Sequence, residues 1–295
     1  MSEILAEHGY LADDSLATSL FLALRMGRPL LLEGEAGSGK TEVANVLARW
    51  SGGELLRLQC YDGIDASQAV YEWDYARQLL HLRAAEMSGT GTDGPVELEH
   101  SLYSEAFLVR RPLLRAIADA SDDGPVPILL IDEIDRADDE FEAYLLEILS
   151  DFTVTVPELG TFRAARPPVV ILTSNRTRDV HDALKRRCLY HWVDYPSFER
   201  EVAIVRLRVP EASEPIAREV SAVVAELRRR GLYKPPGVAE SIDWAQAISV
   251  LGSSHLDERT VERTLGTVIK YREDAERVRA TGIAELVSGA LKYGT

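Results

Sequence analysis

One stretch, Arg28 to Trp50, "RPLLLEGEAGSGKTEVANVLARW", limits what this chain can fold into more than any other. An apolar run, Pro29 to Leu32, leads into a glycine-rich turn and then into a helical pattern with Val43, Val46 and Leu47 on one face. The turn has the spacing G-x-x-x-x-G-K-[ST] as Gly34, Gly39, Lys40 and Thr41. Glycines are needed there because the backbone must curl with its N–H groups inward, at angles a Cβ forbids. The helix start that follows adds partial positive charge. Strand, turn and helix together predict an α/β sheet whose phosphate-binding turn is Gly34, Glu35, Ala36, Gly37, Ser38, Gly39, Lys40 and Thr41. Lys40 is expected to reach β- and γ-phosphates, and the Thr41 hydroxyl to ligate Mg2+. Upstream, "DDSLATSLFLALRMG" predicts a packing helix capped by Asp14 or Ser15 and stopped at Gly27.

A second apolar run, Ile128 to Ile131, suits a strand buried on both faces of a parallel sheet. Asp132 and Glu133 close it, at the carboxyl end where open α/β sheets bind ligands. Alone, such a pair reads equally well as a helix cap. Downstream of a phosphate turn, Asp132 is expected in the Mg2+ shell and Glu133 to polarise a water for attack on the γ-phosphate. Asp135, Asp138 and Asp139 are expected to solvate and cap the next helix, whose core stripe is Phe141, Leu145 and Ile148. "DFTVTVPELGTFRAA" alternates and turns as a β-hairpin does. Another buried strand, Val169 to Thr173, runs into Ser174 and Asn175, and an Asn beside Glu133 can fix the same water by a second hydrogen bond.

The formal net charge of -15 and the pI near 4.9 oppose a nucleic-acid partner, since the overall field repels phosphate backbones. Against that background "ALKRRCLYHWVDYP" places Lys185, Arg186 and Arg187 in succession at the end of a short helix. No apolar stretch approaches the ~18 residues of a membrane span. The stretch "MSEILAEHGYLADD" has no cationic region followed by an apolar run, so a secretory signal is not expected in it. Cys60 and Cys188 lie in no metal-ligand spacing, so a reduced, cytoplasmic protein is expected. Two unequal domains suit the length of 295 residues. "MSGTGTDGP" is expected to be a mobile loop, Tyr71, Trp73 and Tyr75 core more than grip, and Arg110 and Arg111 a rival basic pair. From Ser197 onward four helical patterns follow.

"GEAGSGKT", "ILLIDEID", "TSN" and "ALKRRC", in that order, resemble the Walker A, Walker B, sensor 1 and arginine-finger segments of an AAA+ ATPase. "VTVPELGTFRA" resembles the MoxR family of that superfamily, and "YEWDYARQLL" with "KRRCLYHWVDYP" its CoxD-like branch. The resemblance implies a P-loop NTPase (AAA+) parallel-sheet core of five strands over residues 1–196, with a helical or loop insert at about 61–121, and a C-terminal all-α lid over 197–295. It implies ATP and Mg2+, and a homo-oligomer forming a hexameric ring. It also implies a chaperone-like role in maturing a metalloenzyme, of carbon monoxide dehydrogenase or molybdenum hydroxylase type, beside a von Willebrand factor A domain protein. By the same resemblance Arg187 aligns with the finger that enters a neighbour's site, with Arg186 the close competitor. One feature departs from the superfamily: no arginine lies between Arg230 and Arg259, where sensor 2 belongs, and Lys234 is the nearest cation. Two other readings are a monomeric phosphoryl transferase acting on a small molecule and a DNA-remodelling AAA+ protein.

Overall fold

The computed structural model describes residues 1–88, 101–119 and 123–290. They divide into two compact units. One comprises Thr18–Glu33 and Leu47–His191; the other comprises Met1–Ala17, Gly34–Val46 and the chain from Trp192 onward.

The first unit is built on a parallel sheet of five strands: β1 (Leu30–Gly34), β2 (Leu55–Gln59), β5 (Ile128–Asp132), β8 (Val169–Ser174) and β9 (Leu189–Val193). Their order across the sheet is β2-β5-β8-β1-β9. β1 and β5 are buried along their whole length, as continuous apolar runs require when both faces of a sheet are covered. Register puts Gln59 opposite Asp132 and Glu33 opposite Ser174, so polar residues gather at the carboxyl ends of neighbouring strands. The sequence pattern does not reveal β9, because "LYHWV" mixes polar and aromatic residues with an irregular burial pattern. Nor does it reveal the two-stranded ribbon of β3 (Tyr71–Trp73) and β4 (Leu108–Arg110), whose strands are only three residues long.

The hairpin is present as β6 (Thr153–Val156) and β7 (Gly160–Arg163), with Thr155 paired to Thr161 across it. Trp73 is buried in the core between Tyr71 and Tyr103, whereas Tyr75 is exposed. Arg110 is paired to Glu105 and Asp119, and Arg111 to Glu72 at 2.6 Å, so both answer to charges within the chain. The expected mobile loop lies, from residue 89 on, outside the described residues.

In the second unit a helical core surrounds Trp244, whose indole Nε1 donates to Thr264 Oγ1 at 2.7 Å. The stripe Ile216, Val220, Val223 and Leu227 of helix Glu214–Arg229 is buried in it. Glu201 and Arg228 form a buried two-pronged ion pair (2.6 and 2.9 Å), with Ser241 Oγ as a further donor to Glu201. The last of the four expected helices is two: Glu258–Val268 and Arg272–Ala280 are separated where Ile269 turns to extended backbone. A further helix, Ile283–Ala290, follows. Helix Asp14–Met26 begins one residue later than its cap, which is Asp13: its Oδ1 accepts Leu16 N at 2.7 Å. Among the described residues no helix is long and apolar enough to cross a membrane.

Candidate nucleotide site

The phosphate turn belongs to the second unit. Gly37 and Gly39 adopt φ of 74° and 92°, the left-handed region that their lack of a Cβ makes available. The Lys40 ammonium is buried inside the turn and donates to the carbonyls of Gly34 (2.8 Å) and Glu35 (2.7 Å). Lys40 and Thr41 open helix Lys40–Ser51, so the helix N-terminus faces the turn. In the same unit the start of helix Val238–Val250 lies on the turn: Val238 N donates to Gly37 O at 2.8 Å. A Cβ on Gly237 would meet Gly37 Cα at 2.7 Å, closer than real side chains approach. Gly237 therefore occupies a place where a side chain has no room, within the stretch between Arg230 and Arg259 that holds no arginine. Gly237→Ala is expected to push this helix off the turn, at an overpacking cost of about 1–3 kcal/mol. Titration with a fluorescent ATP analogue should show weakened binding while the circular dichroism spectrum is retained.

The carboxylates belong to the first unit. Asp132 is buried; its Oδ1 accepts Thr173 Oγ1 at 2.5 Å, and its Oδ2 pairs with Arg57 at 2.5 Å. Glu133 sits at φ 56°, unusual for a residue with a Cβ, and its N–H donates to Thr173 Oγ1. One carboxylate oxygen of Glu133 accepts Asn175 Nδ2 at 3.2 Å. The other accepts Gln59 Nε2 at 3.1 Å and pairs with Arg136 at 3.0 Å. Sequence reasoning thus pairs Glu133 with Asn175 and misses Gln59, Arg57 and Arg136. Gln59 carries no signal of its own, since only the β2-β5 register brings it to Glu133.

Asp135 does not solvate the next helix. It is buried, and its carboxylate accepts the N–H groups of Asn175 (3.2 Å) and Thr177 (2.8 Å) and the Thr177 hydroxyl (2.7 Å). Asp135 thereby fixes the loop that aims Asn175, and Asp138 alone caps the helix, through Phe141 N. Glu33, the last residue before the phosphate turn, is also buried and accepts Ser174 Oγ and Tyr190 Oη. Burial, reinforced by the hydrogen bond to Glu33, pushes the Tyr190 phenol up to about 12.

Lys185, Arg186 and Arg187 form the last turn of helix Asp182–Arg187. Arg186 and Arg187 are exposed, and neither side chain has a hydrogen-bond or ion-pair partner among the described residues. Burial pushes the thiols of Cys60 and Cys188 up to about 12, with the nearby Asp132 charge adding to the effect at Cys60. At pH 8 the thiolate fraction is then only ~10^-4. Iodoacetamide at pH 8 is expected to modify neither cysteine in the folded protein and both in urea, read by mass spectrometry.

A family model described as AAA domain (dynein-related subfamily) matches residues 29–188, more than half of the chain. The chain belongs to that family. It is accordingly an ATPase using ATP with Mg2+, and proteins of the AAA class commonly assemble into rings. A search of curated proteins gave no match. Among solved structures, the Thermotoga maritima RuvB Holliday junction branch migration motor is similar at 15% identity and TM-score 0.47, over 85% of this chain and 66% of that one. A point mutant of Thermotoga maritima RuvB is similar at 14% identity and TM-score 0.50, over 93% and 72%. A candidate ATPase from Cytophaga hutchinsonii ATCC 33406 is similar at 14% identity and TM-score 0.46, over 98% and 92%. At such identities the likeness to the RuvB mutant is one of fold alone. The residues of this AAA protein suit the nucleotide, each unit taken by itself: a buried ammonium within a glycine turn for phosphate oxygens in one, and a buried strand-end Asp for Mg2+ in the other. Mg2+ keeps waters and phosphate oxygens in its shell, so one or two protein ligands suffice.

Proposed function

We propose that this chain is an ATP-hydrolysing AAA+ chaperone of the MoxR type. It works in the cytoplasm as a hexameric ring of identical subunits, remodelling a metalloenzyme during cofactor assembly beside a von Willebrand factor A domain partner. The observation that carries the ring reading is the pair Arg186 and Arg187: exposed, on a helix of fixed position, and without a partner among the described residues of a chain of net charge -15. Arg110, Arg111, Arg178 and Arg228 are all matched to carboxylates within the chain, so an unmatched pair is available to an anion on another molecule. The hairpin β6–β7, formed by the "VTVPELGTFRA" segment, supports the MoxR assignment.

In this reading Lys40 and the turn Gly34–Thr41 hold the phosphates, and Thr41 and Asp132 hold Mg2+. Bound Mg2+ draws negative charge from the phosphoryl oxygens. Arg57, half exposed, is a counter-charge that can leave Asp132 without vacating a packed core position. Glu133 accepts the proton of the attacking water, and Asn175 orients that water from the other side. Arg187, or Arg186, stabilises transition-state charge in the neighbouring subunit, where a planar guanidinium matches phosphate oxygens.

The test is ATP turnover per subunit against protein concentration, with the assembly mass followed by light scattering. Specific activity should rise together with the mass. Activity of a monomer, independent of concentration, would overturn the ring and favour a monomeric phosphoryl transferase.

A further inference from the structure

The helix bearing Arg186 and Arg187 has six residues, too few to be stable by itself in water. Its orientation is set by what holds its two ends. At the first end, the buried Glu142 accepts His181 N at 2.7 Å, and His181 Nδ1 accepts Ala183 N at 3.2 Å. Arg178 closes that end by bonding to both Glu142 and the Ala137 carbonyl.

At the other end the final carbonyls of a helix have no partner within it. Here one side chain takes three successive carbonyls. Arg28 Nη2 donates to Arg186 O at 2.9 Å and to Cys188 O at 3.2 Å, and Arg28 Nε donates to Arg187 O at 3.3 Å. A planar fork of N–H donors can span consecutive carbonyls in this way, whereas an ammonium is a single point of charge. The cation also complements the negative end of the helix dipole. Arg28 lies two residues before β1, the strand that runs into the phosphate turn at Gly34. Leu189 N, just past the helix, donates to Pro29 O at 2.7 Å and fastens the same place a second time.

We propose that Arg28 is a positioning residue for the trans-acting arginine. It fixes the direction in which Arg186 and Arg187 leave their helix, and it ties that helix to the strand feeding the subunit's own phosphate turn. The inference rests on the ring reading above, in which one of these arginines serves a neighbouring site.

The experiment uses Arg28→Gln and Arg28→Lys in the full chain, each alone and in equimolar mixtures. A Glu133→Gln subunit offers an intact arginine but hydrolyses nothing; an Arg187→Ala subunit offers the reverse. Arg28→Gln should lower kcat about 10- to 100-fold, the cost of misplacing a catalytic group by about 1 Å, with KM for ATP unchanged. Its mixture with Glu133→Gln should regain activity, while its mixture with Arg187→Ala should not. Arg28→Lys, which keeps the cation but not the fork, should fall in kcat while retaining the wild-type melting midpoint, and so reports even where Arg28→Gln fails to fold. Full activity of Arg28→Lys and Arg28→Gln, or loss that follows the melting midpoint and returns in neither mixture, makes Arg28 a plain helix cap and overturns the inference. The control is whichever of Arg187→Ala and Arg186→Ala abolishes turnover, mixed with Glu133→Gln: its failure to regain activity removes the ring reading itself, whatever Arg28 does.

Discussion

Arg187→Ala is expected to lower ATP turnover by ~10^3 to 10^5, the range by which an arginine supplied in trans accelerates nucleotide hydrolysis. Nucleotide affinity should hardly change, because the guanidinium acts where charge develops during the reaction and not on the ground state. In the proposed ring, mixing the variant with Glu133→Gln should restore both functions at those interfaces where an intact Glu133 meets an intact Arg187. Random assembly makes about a quarter of the interfaces of this kind in a ring of identical subunits. The readout is phosphate release from the mixture against each variant alone. An unchanged rate for Arg187→Ala passes the role to Arg186, tested by Arg186→Ala in the same mixture. Unchanged rates for both remove the trans arginine altogether.

Glu133→Gln should abolish multiple turnover, by ~10^2 to 10^4 if general-base chemistry is its whole contribution. The amide cannot take a proton, but its carbonyl oxygen can still accept from Asn175 Nδ2 or Gln59 Nε2, so the fold around it persists. ATP binding should therefore be retained and the protein trapped with ATP bound, measured by a fluorescent-nucleotide titration followed by single-turnover hydrolysis. Turnover close to that of wild type would show that another group activates the water. Asn175→Ala should produce a smaller loss, since Gln59 and Arg136 still hold the carboxylate from its other oxygen.

The phosphate turn is legible in the sequence because its chemistry dictates its residues: positive φ demands glycine, and an anion demands a cation at a fixed spacing. The Asp132–Glu133 pair is legible for a related reason, an apolar run ending abruptly in charge. Asp135 misleads because its surroundings are not local. It lies in an acidic cluster that reads as a solvated helix start, and only the parallel pairing of β5 with β8 brings Asn175 and Thr177 to its carboxylate. Gln59 and Arg57 have the same history, brought to Glu133 and Asp132 by the register of β2 against β5. The expected single helix from Asp257 onward breaks at Ile269 although its polar pattern continues, since the extended backbone there lets Ile269 bury its side chain in the helical core.

The contact of Gly237 with Gly37 has a consequence for the behaviour of this ATPase in salt. A sensor arginine reports on phosphate through charge, and such a signal weakens as ions accumulate, with a screening length of about 8 Å at physiological ionic strength. Here the helix start meets the turn through one peptide unit on another, Val238 N donating to Gly37 O. The peptide-to-peptide bond carries no net charge for salt to screen, so added salt should leave it intact. The Glu240 carboxylate, which accepts Gly237 N at 2.8 Å, is the titratable group beside it. Within this contact, a substitution at either glycine can loosen it, and none can tighten it.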